Sequence, residues 1–324
     1  AVENYRNFLK LFDIPVVGCW GAPDVNYNGE YNFYGMSGIL CPRCGNFILQ
    51  NADFILVLGN SLCSTQTGFN VEGFAPNAQM VMVDAQEDES KKLGLHINKL
   101  IHSDLNSFFE NYINFGKTVT ASEAWKSFCD MLNKELPHYE VLDLLPKGDG
   151  KEPVHPTQFW KEFMQKAEKD AVITLGNSSC VQGVLQEGIS YKDQHVIVNY
   201  HSGSMGSDIP YAIGAAQGDS KKTTYCITGD GCFMMNLQEL QTIKYNNYKI
   251  KTVIFNNSGY DNIRLTCRNY FNGVGNGCDD TCGISMPDFG KLANAFDFDY
   301  KKVSCVSELS EGIDWLIKNK DACI

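Results

Sequence analysis

No stretch of this sequence approaches the ~20 consecutive apolar residues that a membrane-spanning helix requires, and its first residues carry no basic-then-apolar secretory pattern. Positive charge is scarce: 27 Lys and Arg stand against 38 Asp and Glu, a net charge of −11. That balance argues against nucleic acid or an anionic membrane surface as a partner. A disulfide framework is also lacking. The cysteines number 13, but the chain is neither short nor loop-rich, and several of them (Cys226, Cys305) lie inside apolar runs. They read as reduced, buried thiols of a cytoplasmic protein. Metal-ligand spacing is incomplete as well. Cys41-Pro-Arg-Cys44 has no second C-x-x-C partner, and Cys278 and Cys282 are spaced C-x3-C, so zinc is not expected.

What is present is the composition of an ordinary globular protein, 44% hydrophobic and 20% charged over 324 residues, enough for two cores. The chain opens in a helical pattern (Val2, Tyr5, Phe8, Leu9, Phe12). Apolar runs at Phe54–Leu58 and Met80–Val83, and a shorter one at Leu100-Ile101, read as buried parallel strands. Residues 1–116 are therefore expected to form one small α/β domain. The polar stretch 117–156, with its Pro/Gly/Lys-rich end, is expected as a linker. Residues 157–324 again alternate strand and helix: a helix at Pro156–Lys169, strands at Ala171–Leu175 and Val196–Asn199, helices at Pro287–Ala295 and Glu308–Asn319, and a strand near Lys302–Val306. The fold class is α/β, with two Rossmann-like domains built on parallel sheets flanked by helices.

The most informative stretch runs from Thr223 to Arg264. A β-rich run, Thr223–Thr228, stops at Gly229-Asp230-Gly231. Phe233, Met234, Leu237, Leu240 and Ile243 then recur at helical spacing, as one helix of about four turns. A second β-rich run, Ile250–Phe255, stops at Asn256-Asn257-Ser258-Gly259. Strands joined by a helix should be parallel neighbours, so Asp230 and Asn257 should end adjacent strands, where open α/β sheets bind ligands. Asp230 offers a hard anionic oxygen and Asn257 a hard neutral one. Gly229, Gly231 and Gly259 permit close backbone approach, and a helix opening near Cys232 points N–H groups at the same spot. Those types suit Mg2+ bridging a diphosphate, because Mg2+ takes few protein oxygens and completes its shell with water and phosphate.

Gly-Asp-Gly followed 27 residues later by the Asn-Asn pair resembles the thiamine diphosphate (ThDP) motif of acetolactate synthases and 2-keto acid decarboxylases. The segments "QNADFILVLGNSL" (50–62) and "FAPNAQMVMVDAQ" (74–86) resemble the central domain of the acetolactate synthase family. The resemblance implies Mg2+ on Asp230, Asn257 and Gly259, with Gly229, Gly231, Cys232 and Tyr260 around the cofactor. Asn177 and Ser178 match positions that contact the diphosphate, although turn chemistry alone accounts for them equally well. Gly203-Ser204-Met205-Gly206 resembles the segment that holds the cofactor bent, with Met205 as the apolar wedge and the Gly203 carbonyl as acceptor for the cofactor's 4′-amino group. His201, four residues before Met205, is a candidate to face the reacting carbon. Glu187, Asp261 and Arg264 are pocket candidates on position alone.

The activity so implied is decarboxylation of a 2-keto acid, the product being protonated to an aldehyde or added to a second carbonyl. "NNSGYDNIR" (256–264) and "MPDFGKLANAF" (286–296) look more like acetolactate-synthase-type proteins than simple decarboxylases. FAD is not expected, because "LGNSLCSTQTGFN" (58–70) lacks the Arg of the matching family stretch. In the family a glutamate on an N-terminal pyrimidine-binding domain activates the cofactor, and sites form between subunits of a dimer or tetramer. The sequence opens one helix into the central domain, without that domain's first strand, and stops short of the segment that covers the site in relatives. It is expected to be a piece of a longer enzyme that is inactive alone. The alternatives are one half of a split enzyme and a non-catalytic ThDP-binding or regulatory module.

Overall fold

The computed structural model describes residues 2–92, 94–136, 145 and 148–324. The chain divides into two compact units, Ala1–Glu140 and Val141–Ile324. Helices are numbered α1 to α13 and strands β1 to β11 in chain order.

In the first unit, β4 (Phe54–Leu58), β5 (Gln79–Asp84) and β6 (Lys99–His102) form a parallel sheet in that order. Ile55, Val57, Met80 and Met82 fill one core. A second, aromatic core forms where α1 (Val2–Leu11) packs on α4 (Leu105–Phe115), around Phe8, Phe12 and Phe109. Asp104 caps α4, its carboxylate accepting the Ser107 N–H at 3.0 Å. The stretch 117–156, expected as a linker, joins this unit over its first part. β7 (Val119–Thr120) pairs in parallel with β1 (Phe12–Asp13). Helix α5 (Glu123–Glu135) buries Cys129 and Leu132 against Cys44 and Ile48 of α2 (Arg43–Asn51). The physical reason is an amphipathic helix with a Ser122 cap, whose apolar stripe has to be covered. Residues 137–144, 146 and 147 of the expected linker lie outside the described residues.

In the second unit, β8 (Val172–Leu175), β9 (His195–Ile197), β10 (Thr224–Gly229) and β11 (Ile250–Phe255) form a wholly parallel sheet in the order β11-β10-β8-β9. The chain runs outward from β8 to β9, then crosses back to place β10 on the other side of β8. The strand order thus reverses between β8 and β10, and the loops at their carboxyl ends border the crevice where open α/β sheets take ligands. Helix α6 (Pro156–Lys166) starts in a capping box: the His155 ring accepts the Thr157 N–H and the Gln158 amide oxygen accepts the His155 N–H. It packs on α7 (Ser179–Glu187) through fully buried Trp160.

Two expectations are corrected. The helix after β10 is not continuous but splits into α9 (Asp230–Met235) and α10 (Glu239–Tyr245). Asn236 ends the first piece, its amide donating at 2.7 Å to the carbonyl of Gly206 in another loop. The segment 302–304 is not a strand, and Val306 opens helix α13 (Val306–Lys318). The place beside β11 is taken by Cys323, bridged to Lys251 and to Asp299.

A Cβ added at Gly183 of α7 would stand 1.7 Å from the Trp160 ring. Gly183→Ala is therefore expected to destabilise the second unit by about 3 kcal/mol, read as a drop in guanidinium midpoint. A change near zero would mean that Trp160 can yield and that the helix contact is not close-packed.

Candidate functional site

Four loops follow the carboxyl ends of the second unit's strands, and side chains tie them together. Asp230 is the hub. It is 2% exposed; its Oδ1 accepts the Gly231 N–H at 2.7 Å, and its Oδ2 accepts the N–H of Asn257 at 3.1 Å and of Gly259 at 3.0 Å. One carboxylate thus closes its own turn and holds the turn after β11. Burial raises its pKa, outweighing the opposing effect of those N–H groups. No Lys, Arg or His pairs with it among the described residues. A buried carboxylate without a cationic partner is costly, so the donor set fits a bound divalent cation. Asn257 is exposed. Its carbonyl and its Oδ1 both accept from Arg264 Nη2, at 2.8 and 3.2 Å, and Oδ1 retains a second lone pair.

The glycines divide into two kinds. A Cβ on Gly231 would lie 2.2 Å from the Tyr260 ring and 3.3 Å from Met205, and one on Gly259, at φ +148°, would lie 2.1 Å from the Cys278 carbonyl. Packing of the protein itself requires these two. Gly229 has nothing within 4 Å of its would-be Cβ, so only a ligand would crowd it. Met205 and Tyr260 therefore meet over Gly231, whereas Ser204 is exposed and its hydroxyl accepts the Asn199 amide at 3.2 Å.

Asn177 donates to the Gly203 carbonyl at 2.6 Å and accepts the Ser178 N–H at 2.8 Å. Ser178 adopts φ 61° immediately before α7, a backbone setting that costs a non-glycine residue energy and occurs where a site demands it. Cys232 is 4% exposed, and its sulfur sits against the backbone N–H groups of Asn177, Gly206 and Gly229; burial still raises its thiol pKa. The structure thus draws Asn177, Ser178, Gly203, Met205, Gly229, Asp230, Gly231, Cys232, Asn257, Gly259 and Tyr260 into one region.

Three further candidates remain. His201 is exposed on the turn ahead of Met205. Asp261 is exposed and borders a groove of about 830 Å³ that Asn257 and Ser179 of the strand-end loops also line, together with His155, Phe255 and Tyr300. Glu187 ends α7, about 12 Å along the helix from the loop at its start. Sequence patterns did not single out Asn236 and Cys278 as supports of the site. Asn236 interrupts the helical run, which was the one local signal. Cys278 acts through its carbonyl, which accepts the Tyr260 N–H at 2.8 Å, and no local pattern marks such a contact.

A buried carboxylate and an amide oxygen on adjacent parallel strand ends, beside a topological switch, mark the ligand crevice of an open parallel α/β domain. Family comparison agrees. The C-terminal TPP (thiamine pyrophosphate, that is, ThDP) binding domain of thiamine pyrophosphate enzymes matches residues 178–324, and the central domain of the same enzymes matches residues 1–109. The chain belongs to the thiamine pyrophosphate enzyme family. Its relatives include acetolactate synthase isozyme 2 large subunit of Escherichia coli (strain K12), 25% identical over 320 residues covering 98% of this chain and 55% of that protein. Acetolactate synthase 1, chloroplastic, of Nicotiana tabacum is 28% identical over 261 residues, 79% of this chain and 38% of the relative. Acetolactate synthase of Mycobacterium leprae (strain TN) is 26% identical over 321 residues, 97% and 50% respectively. The chain spans about half the length of the relatives it matches, or less. No helix of the described residues is long and apolar enough to cross a membrane.

Burial pushes the Glu187 carboxyl up to about 8 from its ordinary 4.5. The folded state therefore holds a proton that the unfolded state releases between those values, so stability falls as pH rises from 4.5 to 8. Glu187→Gln should flatten that fall. Thermal melts at about pH 5 and about pH 8 should show a gain over the parent that grows with pH, by at most about 1.4 kcal/mol for each pH unit crossed. An equal gain at both pH values would contradict the assignment.

Proposed function

We propose that the second unit binds thiamine diphosphate with Mg2+, and that the protein acts, in a complete assembly, as a 2-keto acid decarboxylase or carboligase of acetolactate synthase type. The observation that carries this reading is the buried Asp230 carboxylate, unpaired by any cation among the described residues and aligned with the Asn257–Gly259 turn. In it, Asp230, the Asn257 amide oxygen and the Gly259 carbonyl hold the metal, which completes its shell with water and diphosphate oxygens. Backbone N–H groups at Ser178 and Cys232 serve the diphosphate.

Met205, packed by Gly231 and Tyr260, offers an apolar surface under the bend of the cofactor. The Gly203 carbonyl accepts the Asn177 amide and keeps a lone pair for an amino group. When bound, thiamine diphosphate supplies the electron sink for loss of CO2 from a 2-keto acid. The activating glutamate belongs, on this reading, to a pyrimidine-binding domain in a longer form of the protein or in another subunit, and the working form is a dimer or tetramer. Names of the relatives support the acetolactate synthase type.

Asp230→Asn keeps the size but removes the charge, and its NH2 group faces either the Gly231 N–H or those of Asn257 and Gly259. Calorimetric titration with ThDP in the presence of Mg2+ should show affinity reduced roughly 100-fold. Affinity within twofold of the parent would refute the metal assignment. Supplying the pyrimidine-binding domain of a relative should then yield CO2 from a 2-keto acid. Binding without any CO2 release would favour the non-catalytic module.

A further inference from the structure

The loop behind the Asn257–Tyr260 turn carries a dithiol. Cys278 and Cys282 stand with their sulfurs 3.2 Å apart. The Cys278 N–H donates to Cys282 Sγ at 3.3 Å, and the Gly277 N–H donates to the Cys282 carbonyl at 2.7 Å, closing the loop around the pair. Cys278 is 2% exposed and Cys282 is half-buried, so a small reagent reaches Cys282 first. Gly275 leaves the room: a Cβ there would lie 3.1 and 3.3 Å from the two sulfurs. Asp279 completes a cluster of potential metal ligands, but its Oδ1 accepts from Thr281 N and Oγ1 and its Oδ2 faces Arg264 Nε at 3.6 Å. Two thiolates sharing a tetrahedral zinc at about 2.3 Å each would stand roughly 3.8 Å apart. The closer approach favours sulfur–sulfur chemistry over metal ligation.

This loop is wired to the site. The Cys278 carbonyl accepts the Tyr260 N–H and abuts Gly259, while Arg264 spans from Asp279 to both oxygens of Asn257. We propose that Cys278 and Cys282 form a reversible disulfide, and that closing it displaces the Asn257–Tyr260 turn and weakens metal and diphosphate binding. The second half rests on the cofactor reading above.

The oxidant class is a small-molecule disulfide such as oxidised glutathione. The Cys282 thiolate attacks one glutathione sulfur, the S–S bond breaks, and one glutathione thiolate leaves and takes a proton. Cys278, its proton lost to solvent, attacks the Cys282 sulfur and expels the second glutathione. Two protein thiols are oxidised to one disulfide, and one glutathione disulfide is reduced to two thiols.

The test incubates the whole chain in graded mixtures of oxidised and reduced glutathione, quenches with acid, unfolds and alkylates it, and maps the cysteines by peptide mass. Cys278 and Cys282 should become protected together, with the loss of two hydrogen masses reversed by dithiothreitol, and Cys278→Ser should accumulate a glutathione adduct on Cys282. The Mg2+-dependent ThDP affinity should fall roughly tenfold on oxidation, and a Cys278→Ser, Cys282→Ser double variant should not respond to glutathione. Continued alkylation of both cysteines in mixtures that modify exposed Cys63 overturns the disulfide. A disulfide that leaves affinity unchanged overturns its coupling to the site. A fully reduced chain that binds no ThDP overturns the cofactor reading instead, and the mass map still decides the disulfide.

Discussion

The Asp230 carboxylate joins two strand-end turns that are 27 residues apart in sequence. With one oxygen on Gly231 and the other on Asn257 and Gly259, it fixes the relative position of every group proposed to touch the metal. Its burial is not explained by an ion pair among the described residues, and the hydrogen bonds it accepts leave its charge inside the protein. Such a group is stabilised either by taking a proton or by taking a cation. The proposed function takes the second possibility, because the group stands at a strand-order reversal where open α/β sheets take ligands.

The other contacts can be ordered by their distance from that hub. Tyr260 and Met205 pack over Gly231 because no Cβ fits there. Arg264 holds both oxygens of Asn257 and reaches Asp279, which extends the network to the Cys278–Cys282 loop. Asn236 stops a helix in order to hold Gly206, and Asn177 reaches across to Gly203. Asn236 and Asn177 are polar side chains bonded to the backbone of a different loop. The crevice is therefore set by cross-loop bonds, and the hydrophobic core below it, around Cys226, Phe233 and Ile250, supplies the platform.

What could be read in advance followed from local chemistry. Gly-Asp-Gly and Asn-Asn-Ser-Gly end β-rich runs by turn propensity, and parallel pairing of those runs follows from the helical segment between them, so the position of Asp230 beside Asn257 was legible. Features decided at long range were not. The break at Asn236 depends on a carbonyl thirty residues earlier. The place beside β11 goes to Cys323 through tertiary pairing, whereas 302–304 only looked like a strand by composition. The amphipathic stripe of Glu123–Glu135 was visible, but its burial against Cys44 and Ile48 required knowing that a complementary face existed.

Mn2+ in place of Mg2+, followed by electron paramagnetic resonance, tests the central claim most directly. The account predicts that the unsubstituted chain immobilises Mn2+ only when thiamine diphosphate is present, with a spectrum that broadens on 17O-labelling of the diphosphate. Mn2+ that stays free under those conditions, or binds equally well without the diphosphate, would contradict it.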